Sequence, residues 1–384
     1  MTRPVRATRA RRPVAATLVV AATAALALAA CSSDDKKDEG GGDGAAVQAR
    51  LLPPLSDSGK KARPADRADV VVEGVVEPAA EGEKVTLQVR DGGDWSDLDT
   101  AKQDDDGAVT FSAPYLVDGE PQSYRLVTGD EHSDKLDTAM WDDRLDFSDE
   151  FEGDQLQPVW NQRLQGYDTV EARSCSKSDP SMVEVRDGVV ELSVALDPER
   201  DDTCTYQGDE YAFRLNSNIG TQGSYGFQYG FAAARMKFHE KRGQHSAFWM
   251  QPSAGAATGD AAETGAEIDV IEWFGHPHHS GLASYVHYID GGERVKSGNW
   301  IKDPERFGDN WWKRYHVFSV EWTPDGYTFR IDGQVTTTLD EGVSGVDQFL
   351  ILSNLSSNYE FEHLPSASDL PQTTDVDWVR VWTD

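Results

Sequence analysis

The chain has 384 residues, with 67 acidic side chains against 36 basic ones and a formal net charge of −31. Such an excess of negative charge excludes nucleic acid as a partner, because phosphate binding needs clustered cations, and gives no attraction to an anionic membrane surface. Hydrophobic content of 38% with eleven Trp excludes global disorder, and the length leaves room for about two domains.

The chain opens with Arg3, Arg6, Arg9, Arg11 and Arg12, then an apolar, Ala-rich stretch from Val14 to Ala30, the pattern of an export signal over residues 1–30. Without it, 31 bases face 67 acids, a net −36. The run Leu28-Ala29-Ala30-Cys31 resembles a bacterial lipobox. That resemblance implies cleavage before Cys31, a diacylglycerol anchor on its sulfur, and a polypeptide held at the extracellular face of the cell membrane through the anchor alone. The competing readings are a plain signal peptide, or a membrane helix that ends in Cys by chance. Residues 31–65, rich in Gly, Asp, Lys and Pro, read as a flexible tether. With Cys31 assigned to lipid, Cys175 and Cys204 form an even pair in an oxidising compartment. A disulfide there stabilises by ~3–4 kcal/mol in the chain-entropy model; two free thiols are the alternative.

Residues 66–140 carry short β-rich runs, Val70–Val76, Lys84–Arg90, Ala108–Ser112 and Ser123–Thr128, separated by turn clusters such as Asp91-Gly92-Gly93 and Asp106-Gly107. They predict a small antiparallel sandwich similar to the immunoglobulin-like modules of bacterial surface enzymes, a spacer or a weak glycan binder. From 141 to 384 the pattern is β again. Val190, Leu192, Val194 and Leu196 alternate with polar residues, as do Tyr327, Phe329 and Ile331, while His316, Phe318, Val320 and Trp322 share one face. Strand density and the lack of a sustained 3.6 period predict an all-β chain whose second domain is a concanavalin-like β-jelly-roll sandwich.

The chemistry concentrates in Glu267-Ile268-Asp269-Val270-Ile271-Glu272, three carboxylates on a hydrophobic strand. Period-two alternation puts Glu267 and Asp269 on one face and Glu272 on the other. One extra residue, a β-bulge around Val270 or Ile271, returns Glu272 to the face of the other two. Three aligned acids suit cleavage of a glycosidic bond: two flank the bond, and the charge of the third raises the proton affinity of its neighbours. The rival readings are a metal site, with His276, His278 and His279 nearby as zinc ligands or the acids themselves as calcium ligands, and solvated acids without chemistry.

The motif resembles the bulged E-x-D-x-x-E signature of glycoside hydrolase family 16, and other segments follow in that family's order. Phe147–Gly153 with Leu156 and Trp160 resembles its opening strand. Tyr229-Gly230-Phe231 with Ala234-Arg235-Met236-Lys237 resembles its G-x-F-E-A-R-x-K strand, and Phe248–Pro252 its A-F-W-x-x-P segment. Tyr315–Phe318, Glu321–Pro324, Asp332-Gly333 and Asp377–Trp382 complete the series. Two departures stand out: Ala233 replaces the usual Glu, removing a polar group expected to support the cleft wall, and Ser253–Glu263 is long and Ala/Gly-rich, expected as a loop over the cleft.

The resemblance implies Glu267 as nucleophile, Glu272 as general acid/base and Asp269 as supporting acid, with retention of configuration and glutamate carboxyls about 5–5.5 Å apart rather than ~6.5–9.5 Å. It implies sugar contacts at Trp249, His287, Trp273, Arg235, Glu321 and Asn354, each with core packing or a satisfied structural role as its alternative. Trp160 and Trp378 read as core. It implies no catalytic cofactor, but a structural calcium on Glu150, the Gly188 carbonyl and Asp377. The expected activity is endo-cleavage of a β-linked polysaccharide by a monomer, first β-1,3-glucan, with an agar- or carrageenan-type galactan or cell-surface transglycosylation as alternatives. A glycan-binding lipoprotein is the non-enzymatic alternative.

Overall fold

The computed structural model of the protein describes residues 46–168, 172–278 and 281–383. The expected export signal, Cys31 and the first part of the expected tether lie outside them. Where apolar and polar residues alternate, the chain forms strand, and the longest sheet runs in the hydrogen-bonded order Glu293–Trp300, Leu282–Asp290, Glu267–Trp273, His245–Pro252, Gln348–Leu355, Arg214–Gly220. It continues through Val189–Leu196, Gln372–Trp382, Gly230–Lys237, His316–Thr323, Gly326–Ile331 and Gln334–Leu339. The strand Val189–Leu196 joins the two halves, pairing with Arg214–Gly220 at one end and Gln372–Trp382 along the rest. The halves enclose one core. Phe248, Ile268, Val286, Leu350 and Leu352 come from the first; Ala232, Ala234, Met236, Val320, Trp322 and Val379 come from the second. Each buried aliphatic side chain contributes roughly 1.5–3 kcal/mol over its exposed state, so the sandwich is held by period-two patterning rather than by loops. The architecture is the all-β sandwich expected.

The N-terminal module contains one sheet of Ala46–Ser56, Asp69–Glu77 and Ala108–Pro114 and another built on Lys84–Asp91, Asp94–Lys102 and Ser123–Thr128. Leu51, Val70, Val72 and Phe111 of the first share a core with Val85, Leu87, Tyr124 and Leu126 of the second. The expected tether is corrected from residue 46 onward: Ala46–Ser56 pairs antiparallel with Asp69–Glu77, and Leu51, Leu52 and Leu55 are buried. Pro53 and Pro54 disguise it. They remove ladder donors, and the register shifts where they stand, between Leu52 and Pro54 and between Pro54 and Ser56.

This module packs on the outer face of the sandwich. On Gly230–Lys237, Ala232, Ala234 and Met236 enter the sandwich core, while Phe231 and Ala233 are buried on the other side, in the module's core with Val317, Trp378 and Trp382. A ring of four charges lies across the contact. Arg50 meets Glu73 at 2.7 Å and Glu321 at 2.6 Å; Arg330 meets the same two acids at 3.1 and 2.9 Å. Both arginines thus touch both acids, so each charge has two opposite neighbours. Beyond the first strand, Gly59 bridges to Tyr315, and the Arg63 and Ala65 amides donate to Asp377 and Glu150.

Candidate active site

The bulge sits in the strand Glu267–Trp273. Against one neighbour, Phe248 faces Ile271 and Trp249 faces Asp269, so Val270 is extra; against the other, Asp269 faces Tyr285 and Glu272 faces Ala283. Ile268, Val270 and Ile271 are all in the core, which the strand can satisfy only by this slip. Ser284 Oγ donates to the Val270 carbonyl at 2.9 Å, which gives the displaced backbone a partner. The result brings Glu267, Asp269 and Glu272 into one cleft of about 980 Å³.

Alternation on the neighbouring strands supplies the walls. His245, Ala247, Trp249 and Gln251 face the cleft while Phe248 and Met250 face the core. Tyr285 and His287 line it from Leu282–Asp290, Lys296 and Trp300 from Glu293–Trp300, and Ser353 from Gln348–Leu355. Trp249 Nε1 donates to Ser353 Oγ at 3.1 Å, which fixes the ring at the cleft edge. His287 Nε2 lies 3.2 Å from Asp269 Oδ2, and Gln251 Nε2 donates to Glu267 Oε2 at 2.8 Å.

Asp269 and Glu272 both hold a proton more tightly than ordinary carboxyl groups. Burial, reinforced by the Glu267 charge, holds Asp269 well above the usual carboxylate range, with Lys296 acting against the rise. Loss of water around Glu272, then the charge of Asp269, pushes Glu272 up to about 8; His245 and His287 oppose that. A carboxyl group that stays protonated in neutral solution, beside a second carboxylate, is the arrangement general acid catalysis needs.

Four expected sugar contacts are corrected. Trp273 is buried, its Nε1 donating to the His239 carbonyl at 2.7 Å and its ring stacked on Trp312. It follows Glu272 on the strand, so what turns Glu272 to the cleft turns Trp273 to the core. Gly281 comes so close that a Cβ there would lie 2.1 Å from the Trp273 ring. Asn354 also faces inward, donating to the carbonyls of Leu192 and Gln372, whereas its neighbour Ser353 is the cleft residue. Arg235 is buried on the outer face, bonded to Asp377 and to the carbonyls of Asp57 and Lys61. Glu321 belongs to the four-charge ring. Ala233 is not in the cleft wall either; it lies under the module, where a carboxylate would be buried in an apolar contact. Residues 253–263 do not line the cleft: Ser253 bonds Asp347, and Ala261 is buried in the sandwich core, accepting from Gly345. Trp300 and Tyr359 line the cleft without having been expected there.

The metal readings also change. The Glu150 carboxylate is taken by Arg380 and the Ala65 amide, and that of Asp377 by Arg235 and the Arg63 amide. Each acid already carries an arginine, so the calcium set of Glu150, Gly188 and Asp377 does not fit a cation. His276 stacks on Trp312 and His278 packs on Trp300, on different supports, and His279 lies outside the described residues. Glu267, Asp269 and His287 bring ligand atoms within 4.8 Å of one another, but His287 is engaged with Asp269. Cys175 and Cys204 form a disulfide whose hairpin packs on Phe361, beside Tyr359 at the cleft rim.

Residues 141–384 match the family model described as the GH16 domain of beta-porphyranases A–D. A glucan endo-1,3-beta-glucosidase A1 of Niallia circulans is 26% identical over 302 residues, covering 70% of this chain and 43% of that protein. A keratan-sulfate endo-1,4-beta-galactosidase of Sphingobacterium multivorum is 25% identical over 190 residues, covering 48% and 43%. The chain therefore spans less than half the length of these curated relatives. In structure, LamAcat of Zobellia galactanivorans superposes with a TM-score of 0.50 at 19% identity, covering 64% of this chain and 99% of that one. The family match spans the whole second domain, the acid-lined cleft included, and on that basis the chain belongs to glycoside hydrolase family 16.

Proposed function

We propose that the protein is an endo-acting glycosidase that cleaves a β-linked polysaccharide with retention of configuration. The observation that carries this is the slip at Val270, which sets Glu267, Asp269 and Glu272 in one cleft. In this reading Glu267 attacks the anomeric carbon while Glu272, protonated below about pH 8, gives its proton to the leaving oxygen. Glu272, now a carboxylate, then takes a proton from the water that cleaves the glycosyl-enzyme. Asp269, flanked by His287, raises the proton affinity of Glu272. Trp249, Trp300 and Tyr359 offer apolar faces for sugar rings.

The first substrate is β-1,3-glucan, the class named for the relative that covers most of this chain. A galactan bearing anionic groups is a second reading, favoured by the cleft's charge: Arg163, Arg173 and Lys296 line it in a chain of net charge −31. The test incubates the full chain with laminarin, lichenan, agarose, carrageenan, porphyran and keratan sulfate, measuring reducing ends and product lengths. Glu267→Ala abolishes release and leaves the fold intact, and NMR of the first product shows the β anomer. Activity retained in Glu267→Ala, or an α product, refutes the mechanism.

A further inference from the structure

The side chain that touches Glu267 is one that pattern reading passed over. Gln251 Nε2 donates to Glu267 Oε2 at 2.8 Å, and Arg163 Nη2 donates to Gln251 Oε1 at 3.1 Å. The amide can face only one way. Flipped, its oxygen would meet the carboxylate and its NH2 would meet the guanidinium, two clashes of like polarity. A cation on one side and an anion on the other thus fix the rotamer of Gln251.

Arg163 is itself held. Its backbone amide donates to the Asn218 carbonyl at 2.8 Å, and its guanidinium lies over the rings of Trp249 and Phe349, 5.5 and 5.0 Å from their centroids. Gly220 makes room for it: a Cβ there would lie 2.9 Å from Arg163 Cδ. Nε and Nη1 of Arg163 have no hydrogen-bond partner among the described residues, so the group is not spent on a salt bridge of its own. The three residues come from separate strands and segments, and the only contact of Gln251 that reaches the acid triad is with Glu267 Oε2 among the described hydrogen bonds.

We propose that Arg163 and Gln251 are positioning residues for Glu267, a relay that ties down Oε2 so that Oε1 is the oxygen that attacks. In the step it serves, Oε1 forms the bond to the anomeric carbon as the bond to the leaving oxygen breaks, and the proton of Glu272 goes to that oxygen. The relay rests on Glu267 being the nucleophile. Loss of Gln251 misplaces the attacking atom while Trp249, Trp300 and Tyr359 keep their faces in the cleft, so kcat falls while KM holds.

The test compares Gln251→Leu, Gln251→Glu, Arg163→Met, Arg163→Lys and the double variant Arg163→Met/Gln251→Leu on whichever polysaccharide of the panel the wild type cleaves, with Glu267→Ala as control. Expected are a kcat reduced on the order of 10- to 100-fold in Gln251→Leu, KM within about twofold of wild type, and unchanged melting temperature. Arg163→Met falls in the same direction and Arg163→Lys falls less. The double variant is no slower than Gln251→Leu, because Arg163 acts through Gln251. Should Gln251→Leu fold poorly, Gln251→Glu carries the test, since it keeps the shape and replaces the donor by a like charge. Wild-type kcat in Gln251→Leu and Gln251→Glu overturns the relay, and strictly multiplicative losses in the double variant overturn the part of Arg163. If Glu267→Ala stays active, or nothing in the panel is cleaved, the assignment of the nucleophile fails and takes the relay with it.

Discussion

His287 Nε2 stands 3.2 Å from Asp269 Oδ2, across the strand pair that carries the acid triad. Glu267 itself is the register partner of His287, so one imidazole sits opposite the first acid and within ion-pair distance of the second.

That arrangement gives a pH prediction. Glu272 is raised to about 8, first by burial and then by Asp269. Activity that needs its proton falls through pH 8, and Asp269→Asn moves that alkaline limb to lower pH. Stability follows the same sign. A folded pKa above the unfolded one gives stability present below pH 4–5 and lost as pH rises through about 8. Glu272→Gln therefore melts higher than wild type at pH 9 and about equal to it at pH 4, as calorimetry would read.

The charge ring gives a second. Burial works against ionisation of Glu321, but Arg50 and Arg330 together hold it below its ordinary value. Arg330→Met leaves Glu73 and Glu321 facing each other with half their counter-charge. Breaking a buried pair from one side costs about 3–5 kcal/mol, to be read as a lower denaturant midpoint. Glu321, with a lowered folded pKa, contributes stability above its unfolded pKa that is lost as pH falls through the folded one, so wild type and Arg330→Met converge in acid.

The disulfide supports the rim. Cys175 and Cys204 are separated by 29 positions, and the hairpin that carries Cys204 stacks Tyr211 on Phe361 at 4.3 Å, next to Tyr359. Replacing both cysteines by Ala costs ~3–4 kcal/mol in the chain-entropy account. Thermal unfolding with and without reductant measures it, and reductant has no further effect on the double variant.

The aromatic faces are read by kinetics. Trp300→Ala raises KM with little change in kcat, because its ring lines the cleft from a strand that carries none of the three acids. Trp273→Ala behaves otherwise: its ring is core, so the loss appears as ~3–5 kcal/mol of stability.

The bulge was legible because three acids on an apolar strand leave one on the wrong face unless the register slips, and Ile268, Val270 and Ile271 have to reach the core. The same alternation contains the correction for Trp273, since a neighbour of Glu272 points the other way. Arg235 and Glu321 were not legible. Period two says that a residue alternates, not which half of the sandwich its strand joins, and nothing in their own segments announces a module covering the outer face. Gln251 was hidden for a related reason: its partner Arg163 is 88 positions away. The strand at Ala46–Ser56 was masked by composition, its paired leucines interrupted by two prolines.

The strand Gly230–Lys237 is buried on both sides, one of them by residues that precede the family match. Cutting the gene at codon 141 would bare Phe231, Val317, Trp378 and Trp382 to water and strip Glu321 and Arg330 of both partners from the module. What the family match recognises is thus smaller than the packed body, and residues 46–140 share a core with the outer face of the sandwich whose cleft they do not line.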